Sequence, residues 1–229
     1  MGAAHDLVLR DVLCPGGRIA DISIRDGVIS HVGSSPGGSD EIRCNGMIVI
    51  PAGVDMHVHM RDGNQRAKED WKSGSMSAIA GGVTVVVDQP NTQPPLENGR
   101  LLDSRINLAR EESLCSFSIN GAVTPASDIG GLWLSGAMAF GEIFAAPSSY
   151  GDALPSTTLA EALETIGSLG SMATIHAEEP VAGCPEPEDL VSHDRSRPPE
   201  GEARAVRRVT GLNRTGCRLH FCHLSTAGA

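Results

Sequence analysis

Ile48-Val-Ile-Pro-Ala-Gly-Val-Asp-Met-His57-Val-His59-Met-Arg61-Asp62 is an apolar, β-branched run that leads directly into two histidines. Because side chains alternate across a β-strand, His57 and His59 would point to the same face of a strand that ends there. Two imidazoles on one face supply half of a metal site, and Arg61 could hold a carboxylate through its planar guanidinium. Such a pair also occurs by chance in ordinary strands, so the rest of the chain must decide between the two interpretations.

The overall composition restricts the class of protein. The chain has 229 residues, enough for one large domain or slightly more, and 40% of them are hydrophobic. No apolar run approaches the length of a membrane span and the first residues lack a signal-peptide pattern, so we expect a cytoplasmic protein without a membrane partner. The formal net charge of -10 argues against nucleic acid as a partner. It does not exclude an anionic substrate, because a pocket can be locally positive.

The six cysteines are scattered without a Cys-x-x-Cys pair, which predicts free thiols rather than a disulfide framework. Cys222 lies beside His223, and the strand period of two assigns it to the packing side rather than to a metal.

Two regions differ in their pattern. Residues 1–49 read as short strands separated by Gly-rich turns, at Leu7–Leu13, Ile19–Ile24, Val28–Val32, Ile42 and Met47–Ile50, with no helix. We interpret them as a small β unit that precedes the rest of the chain.

Residues 50–229 alternate between strand-like and helical segments. Apolar β-rich runs cover 48–58, 83–88, 114–123, 137–145, 172–176 and 218–223, and helical patterns cover 67–81, 97–112, 157–169 and 200–214. This alternation predicts an α/β fold with a parallel sheet, of the (β/α)8 TIM barrel type. A closed barrel needs eight strands and about 250 residues, so we expect the barrel to be C-terminally incomplete and this chain to be a fragment.

Further histidines and an acid follow the predicted strands. Glu142 lies within an apolar run, where a charge is costly unless it is paired or ligated. His176 and His223 each end a later strand, and the carboxyl ends of barrel strands carry active residues. His220 is three residues before His223 and is expected on the opposite face, so we exclude it.

The expected metal ligands are therefore His57, His59, Glu142, His176 and His223. Nitrogen and oxygen ligands without thiolate suit Zn²⁺, with Mn²⁺ or Co²⁺ as alternatives. One carboxylate could bridge two metals, and metal-bound water is acidic enough to act as a nucleophile near neutral pH. That chemistry cleaves amides and esters.

These residues resemble the amidohydrolase superfamily and, within it, the dihydroorotases of the cyclic amidohydrolase group. The similarity lies in Pro51–Asp62, Ser73–Val87, Gln89-Pro-Asn91-Thr92, Thr174–Glu178 and His223–Thr226. The resemblance implies metal-dependent, reversible hydrolysis of dihydroorotate to N-carbamoyl-aspartate, a step of pyrimidine biosynthesis. It implies that Arg61 and Asn91 bind the substrate carboxylate, that the four histidines are metal ligands, and that a small β-sandwich precedes the barrel.

The chain departs from the family pattern at two places. Relatives carry a carbamylated lysine where this chain has Glu142, which leaves the number of metals open between one and two. The aspartate that acts as general base in the family is expected beyond residue 229, so no catalytic base is assigned. An open six-stranded barrel would expose sheet edges, so we expect a homo-oligomer or completion by a partner.

Two alternative functions stay open. The first is a hydantoinase or allantoinase, although Arg61 and Asn91 favour a substrate with an α-carboxylate. The second is a catalytically silent amidohydrolase-like subunit that stabilises a partner enzyme. Metal content separates the second from an enzyme, because a silent subunit tolerates a site that binds no metal.

Overall fold

The structure is a computed structural model that describes residues 5–148, 153–184 and 187–229. The chain divides into two compact units, one ending at Ala52 and one beginning at Gly53. Among the described residues, no helix has both the length and the apolar character needed to cross a bilayer.

The first unit is built on a four-stranded sheet with the order β3-β2-β1-β4. Its hairpins are antiparallel, whereas β1 and β4 run parallel. Asp26 and Gly27 both have positive φ, as the tight turn between β2 and β3 requires. The strands are β1 (Leu7–Leu13), β2 (Ile19–Arg25), β3 (Val28–Gly33) and β4 (Asp40–Arg43).

The first three of these strands lie where the sequence predicts them. The predicted strand Met47–Ile50 is wrong, because that segment forms a single bridge, between Ile48 and Leu13. The predicted piece at Ile42 is part of strand β4, Asp40–Arg43, a largely polar segment whose residues are exposed. Its pairing with β1 comes from the backbone rather than from an apolar pattern.

In the described part of the second unit, six parallel strands form two three-stranded sheets. A parallel bridge between Gly121 and Phe140 joins the two sheets, so strands that are consecutive in the sequence also lie side by side. The strands are β5 (Gly53–Val58), β6 (Val83–Asp88), β7 (Ser116–Ile119), β8 (Phe140–Phe144), β9 (Met172–His176) and β10 (Arg218–Phe221). Because all six strands run the same way, their carboxyl ends lie at one edge.

Six α-helices accompany these strands among the residues that the structure describes. Four of them begin at a side-chain cap, for example Asp70, which accepts the Ser73 N–H, and Asn98, which accepts the Leu101 N–H. The helices are α1 (Trp71–Ala80), α2 (Gly99–Glu112), α3 (Ile129–Leu134), α4 (Ser156–Ser168), α5 (Leu190–Ser196) and α6 (Pro199–Leu212).

The core of this unit lies between the strands and the inner faces of the helices. Helix α4 shows why: its buried residues Leu159, Ala162, Leu163 and Ile166 recur at the helical period and form one apolar face. They belong to the same buried cluster as Phe140 and other strand residues. The strands therefore pack against the helices through one shared apolar core.

Two helices differ from the sequence predictions. Residues 125–136 lie outside the helical segments predicted from the sequence, yet they contain α3, which Asp128 caps by accepting the Gly131 N–H. The segment around His193 also lies outside them, and it forms α5, which begins with a reciprocal capping box between Asp189 and Ser192.

Candidate metal centre

The candidate ligands come from the carboxyl ends of four strands. His57 is the second-to-last residue of β5, and His59 follows that strand immediately. Glu142 lies in β8, and His176 is the last residue of β9. His223 follows β10 by two residues. The structure therefore brings all five predicted ligands to one edge of the second unit.

Glu142 lies at the centre of this group. Its Oε1 accepts a hydrogen bond from His223 Nε2 at 2.7 Å and lies 3.0 Å from His176 Nδ1. Its Oε2 lies 3.7 Å from His57 Nε2. One ligand atom each from His57, Glu142 and His223 lie within 4.8 Å of one another. Three imidazoles from three separate elements thus surround one buried carboxylate.

The remaining distances show how tightly the rings are grouped. The ring centroids of His57 and His59 are 5.2 Å apart, and those of His57 and His223 are 5.3 Å apart. The His176 and His223 rings are 4.9 Å apart.

Glycine is required next to Glu142. Gly141 has a φ of +121°, and a β-carbon there would collide with the carbonyl oxygen of Thr174 on the neighbouring strand. This close approach of β8 to β9 brings Glu142 beside His176.

The electrostatics of the group favour a charged carboxylate among imidazoles. Burial raises the pKa of Glu142, but hydrogen bonds with His176 and His223 outweigh it and hold the pKa below its ordinary value. The same bond to Glu142 raises the pKa of His223. Burial lowers the pKa of His57, and burial together with the nearby Arg61 charge lowers the pKa of His59. The last two rings therefore favour the neutral form, which is the form that ligates metals.

Asn91 connects the histidine pair to a cavity. Its Oδ1 lies 2.9 Å from His59 Nδ1, so the ring donates from Nδ1 and its Nε2 is left unprotonated. The buried Nδ2 of Asn91 has no hydrogen-bond partner among the described residues. Asn91 and Glu142 both line a cavity of about 480 Å³, which also includes Gln65 and Phe144. A buried donor without an acceptor beside a cavity of this size indicates that a ligand oxygen fits there.

Arg61 is half-buried on the segment that follows the histidine pair. Its charge lowers the pKa of His59, which places it near that ring. It is not among the residues that line the cavity, so the structure brings Asn91 to the cavity wall but does not bring Arg61 there.

The reason given for excluding His220 is wrong. Leu219 and Phe221 pack against the hydrophobic core, so the side chain of His220 between them points to the other face of β10, where it lines a small cavity together with His57. The alternation of strand side chains cannot be extended to His223, because β10 ends at Phe221 and His223 has a φ of 36°. His220 lies outside the close group around Glu142 for another reason: it is three residues earlier along the strand.

Cys222 is buried, as its assignment to the packing side requires. Burial raises the pKa of its thiol to about 12.

Two acidic residues of the site escaped the sequence analysis. Asp88, fully buried at the end of β6, accepts the Met60 N–H at 2.8 Å and pairs with Arg105. Glu202, near the start of α6, accepts the N–H groups of Ser225 and Thr226, each at 2.8 Å. Both hold the backbone just after a candidate ligand. The sequence did contain one signal for Asp88, namely its partner Arg105. This charged residue lies on the apolar face of α2 between Leu102 and Ala109, so it needs a buried acidic partner.

The donor set fits a divalent metal of the borderline class. It consists of imidazole nitrogens and one carboxylate, with their atoms converging and with the carboxylate buried in its charged form. A lone carboxylate in this position would be costly to bury, whereas one surrounded by ligating imidazoles is not.

Comparison with known proteins also points to a hydrolase of cyclic amides. The chain is 42% identical over 224 residues to a dihydroorotase of Methanosarcina acetivorans, covering 93% of this chain and 48% of the relative. It is 30% identical over 243 residues to an allantoinase of Rubrobacter xylanophilus, covering 98% of this chain and 53% of the relative. No family model matches the chain.

Among solved structures, the L-hydantoinase (dihydropyrimidinase) of Arthrobacter aurescens superposes with a TM-score of 0.83 at 25% identity. The match covers 95% of this chain and 52% of that structure. The chain is therefore a homologue of the cyclic amidohydrolases. Within that group it is homologous to curated dihydroorotases over nearly its whole length, and it spans about half of theirs.

Proposed function

We propose that the protein is a metal-dependent dihydroorotase, which reversibly hydrolyses the cyclic amide of dihydroorotate to N-carbamoyl-aspartate. The observation that carries the proposal is the buried carboxylate of Glu142 among three imidazoles, at the carboxyl ends of parallel strands. The similarity to curated dihydroorotases supports the choice of reaction.

The proposed fold is an amidohydrolase-type (β/α)8 TIM barrel, of which residues 50–229 supply the first six strands. Residues 1–49 would be the N-terminal part of a small β-sandwich domain. The continuous order of six parallel strands supports the first assignment, and the separate four-stranded sheet supports the second.

The residues proposed to hold the metal are His57, His59, Glu142, His176 and His223. Zn²⁺ suits this donor set, and Mn²⁺ or Co²⁺ are alternatives. One or two ions could be held, since the family resemblance implies a carbamylated lysine at the position of Glu142. A metal held by these residues would supply an activated water and would polarise the amide carbonyl.

The remaining tasks belong to side chains of this chain. Asn91 would donate its free Nδ2 to a substrate carboxylate oxygen while its Oδ1 keeps His59 in one tautomer. Arg61 would supply the positive charge opposite that carboxylate. The cavity of about 480 Å³ is ample for a six-membered ring with one carboxylate. Within the described residues we assign no general base.

Location in the cytoplasm and assembly as a homo-oligomer, or with a completing partner, stay predictions. Nucleic acid and membranes are not among the proposed partners.

The decisive experiment compares two substrates on the full gene product. Dihydroorotate carries the α-carboxylate, whereas dihydrouracil offers the same kind of cyclic amide without it. Dihydroorotase activity with little activity on dihydrouracil is expected, and Arg61→Met should raise the KM for the carboxylate substrate at least about tenfold. A preference for dihydrouracil or hydantoin would instead favour a hydantoinase, and a protein that binds no metal would favour a silent subunit.

A further inference from the structure

A buried ion pair lies beneath the segment that carries Arg61. Asp88 has no exposed surface, and its Oδ2 accepts hydrogen bonds from Nε and Nη2 of Arg105 at 3.0 and 2.8 Å. Its Oδ1 accepts the backbone N–H of Met60 at 2.8 Å. The carboxylate therefore connects helix α2 to the backbone that follows strand β5.

The guanidinium completes the connection from the other side. Nη1 of Arg105 donates to the carbonyl oxygen of Arg61 at 2.7 Å. The pair thus holds the N–H at the start of the Met60–Arg61 dipeptide and the C=O at its end. All three kinds of guanidinium nitrogen are used, two on Asp88 and one on the Arg61 backbone.

The clamped backbone is in a conformation that these residues rarely adopt. Arg61 has a φ of 50° and Asp62 a φ of 57°, both in the left-handed region that favours glycine. Asp62 is held as well, because its N–H donates to the Glu69 carbonyl at 3.0 Å and its Oδ2 accepts the Trp71 N–H at 3.3 Å. Such a strained backbone conformation persists only where the surrounding residues hold it in place. Strained residues of this kind cluster at ligand-binding and active sites.

We propose that Asp88 and Arg105 are positioning residues for Arg61, which fix its backbone in the left-handed conformation from which its side chain meets the substrate carboxylate. The inference rests on the proposed carboxylate-binding role of Arg61. A buried ion pair is an inefficient way to stabilise a fold, because apolar residues of the same volume do as well. Its hydrogen bonds to the Met60–Arg61 backbone supply a specific reason for it.

The test is a double-mutant cycle on the full gene product. Arg105→Lys keeps the charge opposite Asp88 but lacks the fork that also reaches the Arg61 carbonyl. We expect it to raise the dissociation constant of N-carbamoyl-aspartate, measured by calorimetry, about tenfold, with zinc content unchanged. In an Arg61→Met background the same change should have almost no further effect, because the residue through which it acts is gone.

A second variant tests the same role without leaving an unpaired charge that could unfold the protein. Asp88→Asn with Arg105→Gln removes both charges, so that no uncompensated charge stays buried. Arg110→Gln, on the exposed side of the same helix, is the matched control and should leave the dissociation constant unchanged.

The outcomes separate the two hypotheses. If Arg61→Met does not weaken binding of N-carbamoyl-aspartate, the proposed carboxylate site is wrong and this inference falls with it. If Arg61→Met weakens binding but Arg105→Lys and the double variant do not, only the positioning role is wrong. The positioning role would also be wrong if the effects of Arg105→Lys and Arg61→Met on the dissociation constant were fully additive. A loss of bound zinc in Arg105→Lys would overturn it as well.

Discussion

The Oε1 atom of Glu142 accepts a hydrogen bond from His223 Nε2 at 2.7 Å across 81 residues of sequence. Glu142 comes from strand β8, and His223 comes from the segment that follows β10. His176, from the strand between them, lies 3.0 Å from the same oxygen. One carboxylate thus links three neighbouring parts of the sheet and lowers its own pKa by doing so.

The first prediction concerns the charge of this carboxylate. Glu142→Gln keeps the volume of the side chain but removes the negative charge from the centre of the imidazole group. We expect zinc affinity to fall about 100-fold or more, since an amide is a poor ligand compared with a carboxylate. Competition with a chromogenic chelator measures the affinity. Glu161→Gln, exposed on helix α4, is the control, and equal zinc affinity in both variants would contradict the role of Glu142.

The ligand group was predictable because it rests on local rules. His57 and His59 follow from alternation along a strand, and Glu142 stands out as a charge in an apolar run. The parallel topology then brings the carboxyl ends of β5, β8 and β9 to one edge. No knowledge of long-range contacts was needed beyond the alternation of strands and helices.

The supporting residues could not be predicted in the same way. Asp88 and Arg105 are 17 residues apart on different elements, and their contact with the Met60–Arg61 backbone depends on how α2 packs. The inward direction of His220 also escaped prediction, because the end of β10 at Phe221 breaks the parity with His223. Helix α5 was missed although Asp189 and Ser192 have the spacing of a capping box.

The second prediction concerns the free amide nitrogen of Asn91. Asn91→Asp replaces a donor by an oxygen that repels a substrate carboxylate, while the other oxygen still accepts from His59. We expect the dissociation constant of N-carbamoyl-aspartate to rise about 100-fold, because a favourable contact becomes a repulsive one. Binding of uncharged dihydrouracil should change little. Calorimetry with both ligands provides the measurement, and Asn107→Asp on the exposed face of α2 is the control.

An equal loss for the charged and the uncharged ligand in Asn91→Asp would argue against carboxylate recognition at this position. It would indicate that the substitution disturbs His59 or the cavity wall instead.

The third prediction concerns Glu202, which holds the segment after His223. Burial raises its pKa, but hydrogen bonds from Thr226 and Ser225 outweigh burial and hold the pKa below its ordinary value. A depressed pKa in the folded state means that the ionised carboxylate stabilises the fold above the unfolded-state pKa of about 4.3. This stabilisation is lost as pH falls through the lower, folded-state value.

We therefore expect Glu202→Gln to lower the free energy of unfolding by about 1–2 kcal/mol at pH 7, and by progressively less as the pH falls below about 4. Backbone amide exchange at Ser225 and Thr226 should accelerate in the variant, because their acceptor is weaker. Glu200→Gln, exposed in the first turn of the same helix, controls for the helix dipole. A pH-independent difference between Glu202→Gln and the natural protein would contradict the assignment.

The last prediction concerns the metal itself. A ligand that binds only the folded state stabilises it, by about 2.7 kcal/mol when present at 100 times its dissociation constant. Dialysis of the full gene product against a chelator should therefore lower its melting temperature by several degrees, and Zn²⁺ should restore it. In Glu142→Gln at the same zinc concentration the shift should be much smaller, because the site has lost its central carboxylate. His193→Ala is the control, since that histidine lies on the exposed helix α5 and should leave the shift intact. A zinc-dependent shift of equal size in the natural protein and in Glu142→Gln would place the metal elsewhere.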